Sequence, residues 1–138
     1  MTQRAILLTI KSVYAEEILD GEKPEEYRTR PPRISNPTRT IMYVSGLRHL
    51  IGEFIMEPVS GERTSFGYPL PVHNPIPYKP PIPWESVRRA IPGIRRPQQS
   101  FRYLDPADAA DARLLEMLEP HRISGRQKET GRKVVHRN

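Results

Sequence analysis

The chain contains no cysteine, which excludes disulfide scaffolds and thiolate metal sites. It has no long apolar run: nothing reaches the ~18 residues that span a bilayer. Met1-Thr2-Gln3-Arg4 leads straight into a strand-like run ending at Lys11, without a signal-peptide cleavage pattern. A cytoplasmic protein with no membrane partner is the expectation. The four histidines, His49, His73, His121 and His136, show no metal-ligand spacing, and there is no HExxH motif. A phosphate-cradling glycine-rich loop and a GxSxG elbow are also missing. No metal or cofactor is implied. Apolar residues make up only 36% of the 138, so one domain is expected, with part of the chain outside its core.

Proline and positive charge are abundant instead. Sixteen prolines is more than twice the usual rate of about 5%. The formal charge of +6 favours polyanionic partners. That charge is unevenly spread. Residues 121–138 carry Arg122, Arg126, Lys128, Arg132, Lys133 and Arg137 against Glu129 alone. Such a segment reads as a disordered basic tail.

The pattern along the chain predicts a mainly β protein with flanking helices, an α+β class. Residues 5–11 read as a buried strand. Ser12 is a fitting N-cap for a helix over 13–20, with Val13, Ala15, Ile18 and Leu19 as its buried stripe and Gly21 as its stop. Residues 25–30 form a charged strand that Pro31 and Pro32 end. Residues 38–45 and 50–59 read as a hairpin, and Gly52 marks a bulge or a close backbone approach. The prolines of 60–83 argue against a helix or an internal strand there. They predict an extended, polyproline-like crossing: either a stiff connector on the barrel wall or a ligand for aromatic grooves. A short helix over 84–90 and a last strand over 100–104 follow. Asp105-Pro106 opens a helix that stops at Pro120.

The charged strand is the most informative element. Side chains alternate along a strand, so Glu26, Arg28 and Arg30 share one face and Tyr27 points to the other. A carboxylate beside guanidiniums can read a polar, anionic or base-like ligand. The same residues also fit a solvated strand edge held by a Glu–Arg ladder. Tyr27 and Tyr43 can stack a base if exposed, or pack in the core.

The order Ile10-Lys11, helix, Gly21-Glu22-Lys23, Glu26-Tyr27-Arg28 resembles the ASCH domain, a branch of the PUA-like superfamily. Its pattern I-K-P-x-Y-A-x-x-I-x-x-G-E-K-x-x-E-[FY]-R-x-R is met at Ile10, Lys11, Tyr14, Ala15, Ile18, Gly21, Glu22, Lys23, Glu26, Tyr27, Arg28 and Arg30. Ser12 stands where proline is usual. The hairpin at Ile41-Met42-Tyr43-Val44-Ser45 and Ile51-Gly52-Glu53-Phe54 is similar to the family's second signature, and residues 97–104 resemble its closing strand. The resemblance spans residues 4–104 and is strongest over 4–57. It implies a small β-barrel with flanking helices and a cleft for nucleic acid or a modified base. Some members resemble amidohydrolases that deacetylate 4-acetylcytidine with a Lys, a Thr and a Glu. Only the Lys carries over, to Lys23; Glu26 falls where the Thr stands, and a Pro-rich crossing replaces the helix bearing the Glu.

The sequence thus predicts an ASCH-like domain over 1–104, a helix over 105–120 and a basic tail. It predicts binding of nucleic acid, RNA above all, around Lys11, Lys23, Glu26, Arg28, Arg30 and Ser45, with the tail adding sequence-blind affinity. The alternatives are an amidohydrolase centred on Lys23 and Glu26, and a protein-interaction module using the Pro-rich segment and the last helix.

Overall fold

The computed structural model describes residues 4–137, with side chains for residues 4–126. Strand β1, Ala5–Ile10, lies deep within the sheet. It pairs in parallel with β3, Thr38–Val44, and antiparallel with β6, Phe101–Leu104. Its continuous apolar run follows from burial on both faces. Ile6, Leu8 and Ile10 enter one core with Met42, Phe54 and Leu70, while Ala5 and Leu7 enter another with Ile41, Leu104, Leu114 and Leu118.

Helix α1, Ser12–Leu19, covers the first core through Ala15 and Ile18. Val13, expected in the buried stripe, is 58% exposed. Ser12 is already helical and Lys11 holds the cap position. Gly21 ends the element with φ +77, a backbone region that glycine enters without steric cost. The chain then forms β2, Glu25–Arg28, shorter than the expected strand and leaving Arg30 just beyond its end.

The hairpin of β3 and β4, His49–Met56, is as the sequence implied. Its register slips opposite Gly52, where an added Cβ would meet the Ile76 carbonyl oxygen at 2.7 Å and Leu19 Cδ2 at 2.8 Å. The Pro-rich segment departs from expectation. Strand β5, Tyr68–Pro83, is internal, paired with β2 on one side and β4 on the other. Alternation explains how it tolerates its prolines. Pro69 and Pro71 fall on alternate residues, and their carbonyls accept from Ser60 and Glu57 beyond the end of β4. Their missing N–H groups therefore face the same way. Val72, the residue after Pro71 and opposite to both in phase, donates to Pro24 on the β2 side. Farther along, the register skips between Glu53 and Ile55 and between Leu50 and Gly52, which takes further prolines out of the ladder.

The six strands run β2-β5-β4-β3-β1-β6 and curl into a half-barrel. Helix α2, Trp84–Ala90, and helix α3, Ala109–Arg137, close the second core. Asp108, rather than Asp105, caps α3 by accepting from the Asp111 N–H at 3.0 Å; Asp105 caps the preceding turn. Inside the interface, Asp111 accepts from Arg102 Nη2 at 2.6 Å and from the Asp105 N–H. Burial pushes its carboxyl up, but these hydrogen bonds and the Arg102 charge outweigh that and hold its pKa below the ordinary value.

The helix does not stop at Pro120. Contacts with β5 carry it onward: His121 Nδ1 lies 2.6 Å from the Pro80 carbonyl oxygen, and Arg122 donates to Glu53 Oε2 at 3.0 Å. Gly125 sits so close to Pro77 that a Cβ there would collide with its carbonyl. The start of the expected disordered tail is thus packed helix. Glu53 is buried and also accepts from Arg39 Nε and Nη2 and from the Tyr78 hydroxyl. Burial, reinforced by Glu53, pushes Tyr78 well above the ordinary tyrosine pKa.

Candidate functional site

The half-barrel has an open seam, and β2 lies along it. Arg28 on β2 spans the gap. Its Nη2 donates to the Thr9 carbonyl on β1 at 3.0 Å, and Nη1 lies 3.5 Å from the Ser100 carbonyl and hydroxyl oxygens. Beside this clasp is a cleft of about 710 Å³, within the usual range for ligand sites. Lys11 contributes from the start of α1, Lys23 from the loop before β2, Glu26 and Arg28 from β2 itself. Arg30 and Ser45 stand just beyond β2 and β3. All six sequence-predicted residues line this one cleft.

Glu26 is buried and organises the cations. Arg28 Nε donates to its Oε2 at 2.7 Å, and Lys23 Nζ stands 3.7 Å from its Oε1. Lys23 also sits 5.2 Å from the Tyr14 ring centroid and 5.5 Å from that of Tyr27. Two aromatic faces and a carboxylate thus hold one ammonium at the wall of the cleft. The side chains of Lys11 and Arg30 have no hydrogen-bond or ion-pair partner among the described residues.

Tyr27 lines the cleft although it alternates with Glu26 and Arg28. Its hydroxyl donates to Glu25 Oε1 at 2.9 Å, a bond that pushes the tyrosine pKa up. Tyr43 does not reach the cleft; it packs edge-on to Trp84 in the second core. Residues without a sequence-based assignment complete the walls: Thr9, Tyr14, Thr29, Phe66, Gln99 and Ser100. Thr9 and Ser100 enter only through the pairing of β1 with the segment before β6. Phe66 had a visible signal, an aromatic residue placed directly before a turn glycine. It is 75% exposed and its ring lies 6.0 Å from that of Tyr27. A tight turn holds it, with reciprocal Thr64–Gly67 backbone bonds and the Thr64 hydroxyl accepting from the Phe66 N–H. Gly67, at φ +116, lies flush on the backbone of Arg28 and Thr29, where a Cβ would stand 2.6 Å from the Arg28 carbonyl carbon.

The expected electrostatic tail divides. Arg122 is spent on Glu53 and Glu119, so it serves the fold. Arg126 lies exposed on the same helix. The side chains of Lys128, Arg132, Lys133 and Arg137 lie outside the described residues. No group of three His, Asp or Glu side chains among the described residues is arranged to hold a metal ion. No described helix is long and apolar enough to cross a membrane.

A curled six-stranded sheet flanked by three helices, with a charged cleft at its seam, defines a small α+β domain. No family model and no curated protein matches the sequence. Solved structures do match, among them ASCH proteins of Zymomonas mobilis. A tyrosine-to-phenylalanine variant superposes with a TM-score of 0.66 at 15% identity, covering 84% of this chain and 99% of that one. A serine-to-alanine variant gives 0.65 at 16% identity, over 83% and 95%, and the ASCH protein itself 0.64 at 16%, over 83% and 94%. The chain has the ASCH fold.

Proposed function

We propose that the seam cleft binds a base of single-stranded nucleic acid, RNA in the first instance. One observation carries this reading: Lys11, Lys23, Arg28 and Arg30 share a single concave surface with Tyr14, Tyr27 and Phe66. Cations draw the phosphate backbone, and aromatic faces offer stacking to an unpaired base. Glu26 gives the cleft an acceptor for a base amino group, held in place by Lys23 and Arg28. The ASCH fold is compatible with this use and does not by itself choose the ligand.

Binding is preferred to amide hydrolysis on chemical grounds. Hydrolysis needs an activated oxygen as well as a group that stabilises the oxyanion. Lys23 can stabilise charge. The Thr9 hydroxyl donates to the Gln98 carbonyl at 2.6 Å, and the Glu26 oxygens face Lys23 and Arg28. None of these supplies an obvious base for a nucleophile.

Fluorescence anisotropy with a labelled, mixed-sequence RNA 10-mer tests the reading. Lys23→Ala should weaken binding about tenfold or more, a charge-assisted contact being worth about 1.5–3 kcal/mol. Unchanged affinity in a folded Lys23→Ala protein would remove Lys23 from the site.

A further inference from the structure

A second concavity, of about 620 Å³, opens beside the first and shares Arg30 with it. We propose that it holds the phosphate and sugar of a nucleotide next to the one in the cleft. The natural ligand is then a strand of two or more nucleotides rather than a free nucleoside. This rests on the nucleic-acid reading of the cleft.

Charge is the first argument. Arg30 and Arg33 line the concavity, and no acidic residue does. Elsewhere the chain commits guanidiniums to carboxylates: Arg28 to Glu26, Arg39 and Arg122 to Glu53, Arg102 to Asp111. Arg30 and Arg33 are exposed, and neither side chain has a hydrogen-bond or ion-pair partner among the described residues. Two free guanidinium forks beside an apolar floor of Pro31, Ile34, Pro58 and Val59 suit an anion attached to a less polar ring.

Rigidity is the second. Pro31 and Pro32 fix φ between the two arginines. The Arg33 N–H donates to the Tyr103 hydroxyl at 2.8 Å, which ties the loop to β6. The backbone presenting the cations is therefore ordered before any ligand arrives, which lowers the entropy lost on binding. Continuity is the third. Arg30 belongs to both concavities, so an anion on Arg30 joins a base in the first to a sugar in the second. A free nucleoside would fill the first and leave the second empty. An acidic peptide could neutralise the arginines but has no use for the adjoining ring-lined cleft.

The test uses the full chain, the four nucleoside 5′-monophosphates, the RNA 10-mer and a deca-glutamate peptide, with affinities measured by calorimetry across a salt series. The 10-mer should bind at least about tenfold tighter than any mononucleotide. Arg33→Ala should weaken the 10-mer about fivefold or more, lower its salt slope by about 0.7, and leave mononucleotides unchanged. A thermal melt guards against unfolding, and the exposed Arg33 side chain makes no hydrogen bond or ion pair among the described residues that its loss would break. Equal affinity for 10-mer and mononucleotide overturns the inference and spares the cleft reading. So does an Arg33→Ala protein with an unchanged 10-mer affinity or slope. Deca-glutamate competing as well as RNA overturns it in favour of an acidic protein partner. Binding of neither mononucleotide nor 10-mer sinks the cleft reading itself.

Discussion

Arg28 Nη2 and the Thr9 carbonyl oxygen meet at 3.0 Å across the open seam of the half-barrel, although no strand pairing joins β2 to β1. The same guanidinium holds buried Glu26. Arg28 therefore closes the fold and shapes the cleft at once. Arg28→Ala leaves a carboxylate without its main partner and a seam without its clasp. We expect a loss of about 2–3 kcal/mol in denaturant unfolding, with binding reduced as a consequence. Arg28→Lys should rescue little, because an ammonium cannot span Glu26 and Thr9 with a planar fork. Full stability in Arg28→Ala would show that the seam is held by other contacts.

Phe66 offers the opposite profile. It is exposed, and its main ring contact is the tilted one with Tyr27. Phe66→Ala should leave the melting temperature within about a degree or two. It should still cost about 1–3 kcal/mol of RNA binding, the range for a lost stacking face. An affinity equal to that of the parent protein would mean that Phe66 only shields Tyr27.

How the cleft was legible explains what was not. Lys11, Lys23, Glu26, Arg28 and Arg30 lie within one stretch of sequence, where alternation and spacing set their neighbours directly. Phe66 and Ser100 reach the same cleft through long-range strand pairing, which local pattern does not encode. The error at β5 had a simple origin. Proline is a poor strand former on average, but prolines on alternate residues remove donors from one edge only. Pro120 misled for a related reason: Arg122, His121 and Gly125 make contacts that sustain the helix beyond it.

Those contacts make truncation informative. Ending the chain at Pro120 removes Arg122 from buried Glu53 and uncovers β5 near Pro77. A loss of about 2–4 kcal/mol is expected in urea unfolding. Arg122→Ala should cost less, about 1–2 kcal/mol, because Arg39 and Tyr78 still hold Glu53. A truncated chain as stable as the full one would show that the helix beyond Pro120 merely rests on the sheet.

The Arg102–Asp111 pair should govern acid behaviour. Its folded-state pKa lies below the ordinary carboxylate value. The stability it contributes is complete above the unfolded value of about 3.9 and is lost as pH falls through the folded value. Asp111→Asn leaves Arg102 buried without a counter-charge and should cost about 3–5 kcal/mol at neutral pH. Its melting temperature should also fall less steeply than that of the parent below about pH 4. Parallel acid limbs in the two proteins would assign the acid sensitivity elsewhere.

Turnover provides a separate check. Purified protein should release no acetate from 4-acetylcytidine above a Lys23→Ala control. Clear release that disappears in that control would make the cleft a hydrolase, with Glu26 activating water.

Gly52 does not line the cleft, yet α1, β4 and β5 all meet at it. Its missing side chain lets the end of α1 rest directly on β4 at Leu19, and the other end of that helix delivers Lys11 and Tyr14 to the opening. A single methyl group at position 52 would meet the Ile76 carbonyl of β5 as well as the Leu19 side chain; the leucine can turn aside, the β5 backbone cannot. The close seating of β5 and α1 on β4 is thus kept by a residue that a search for binding contacts would pass over.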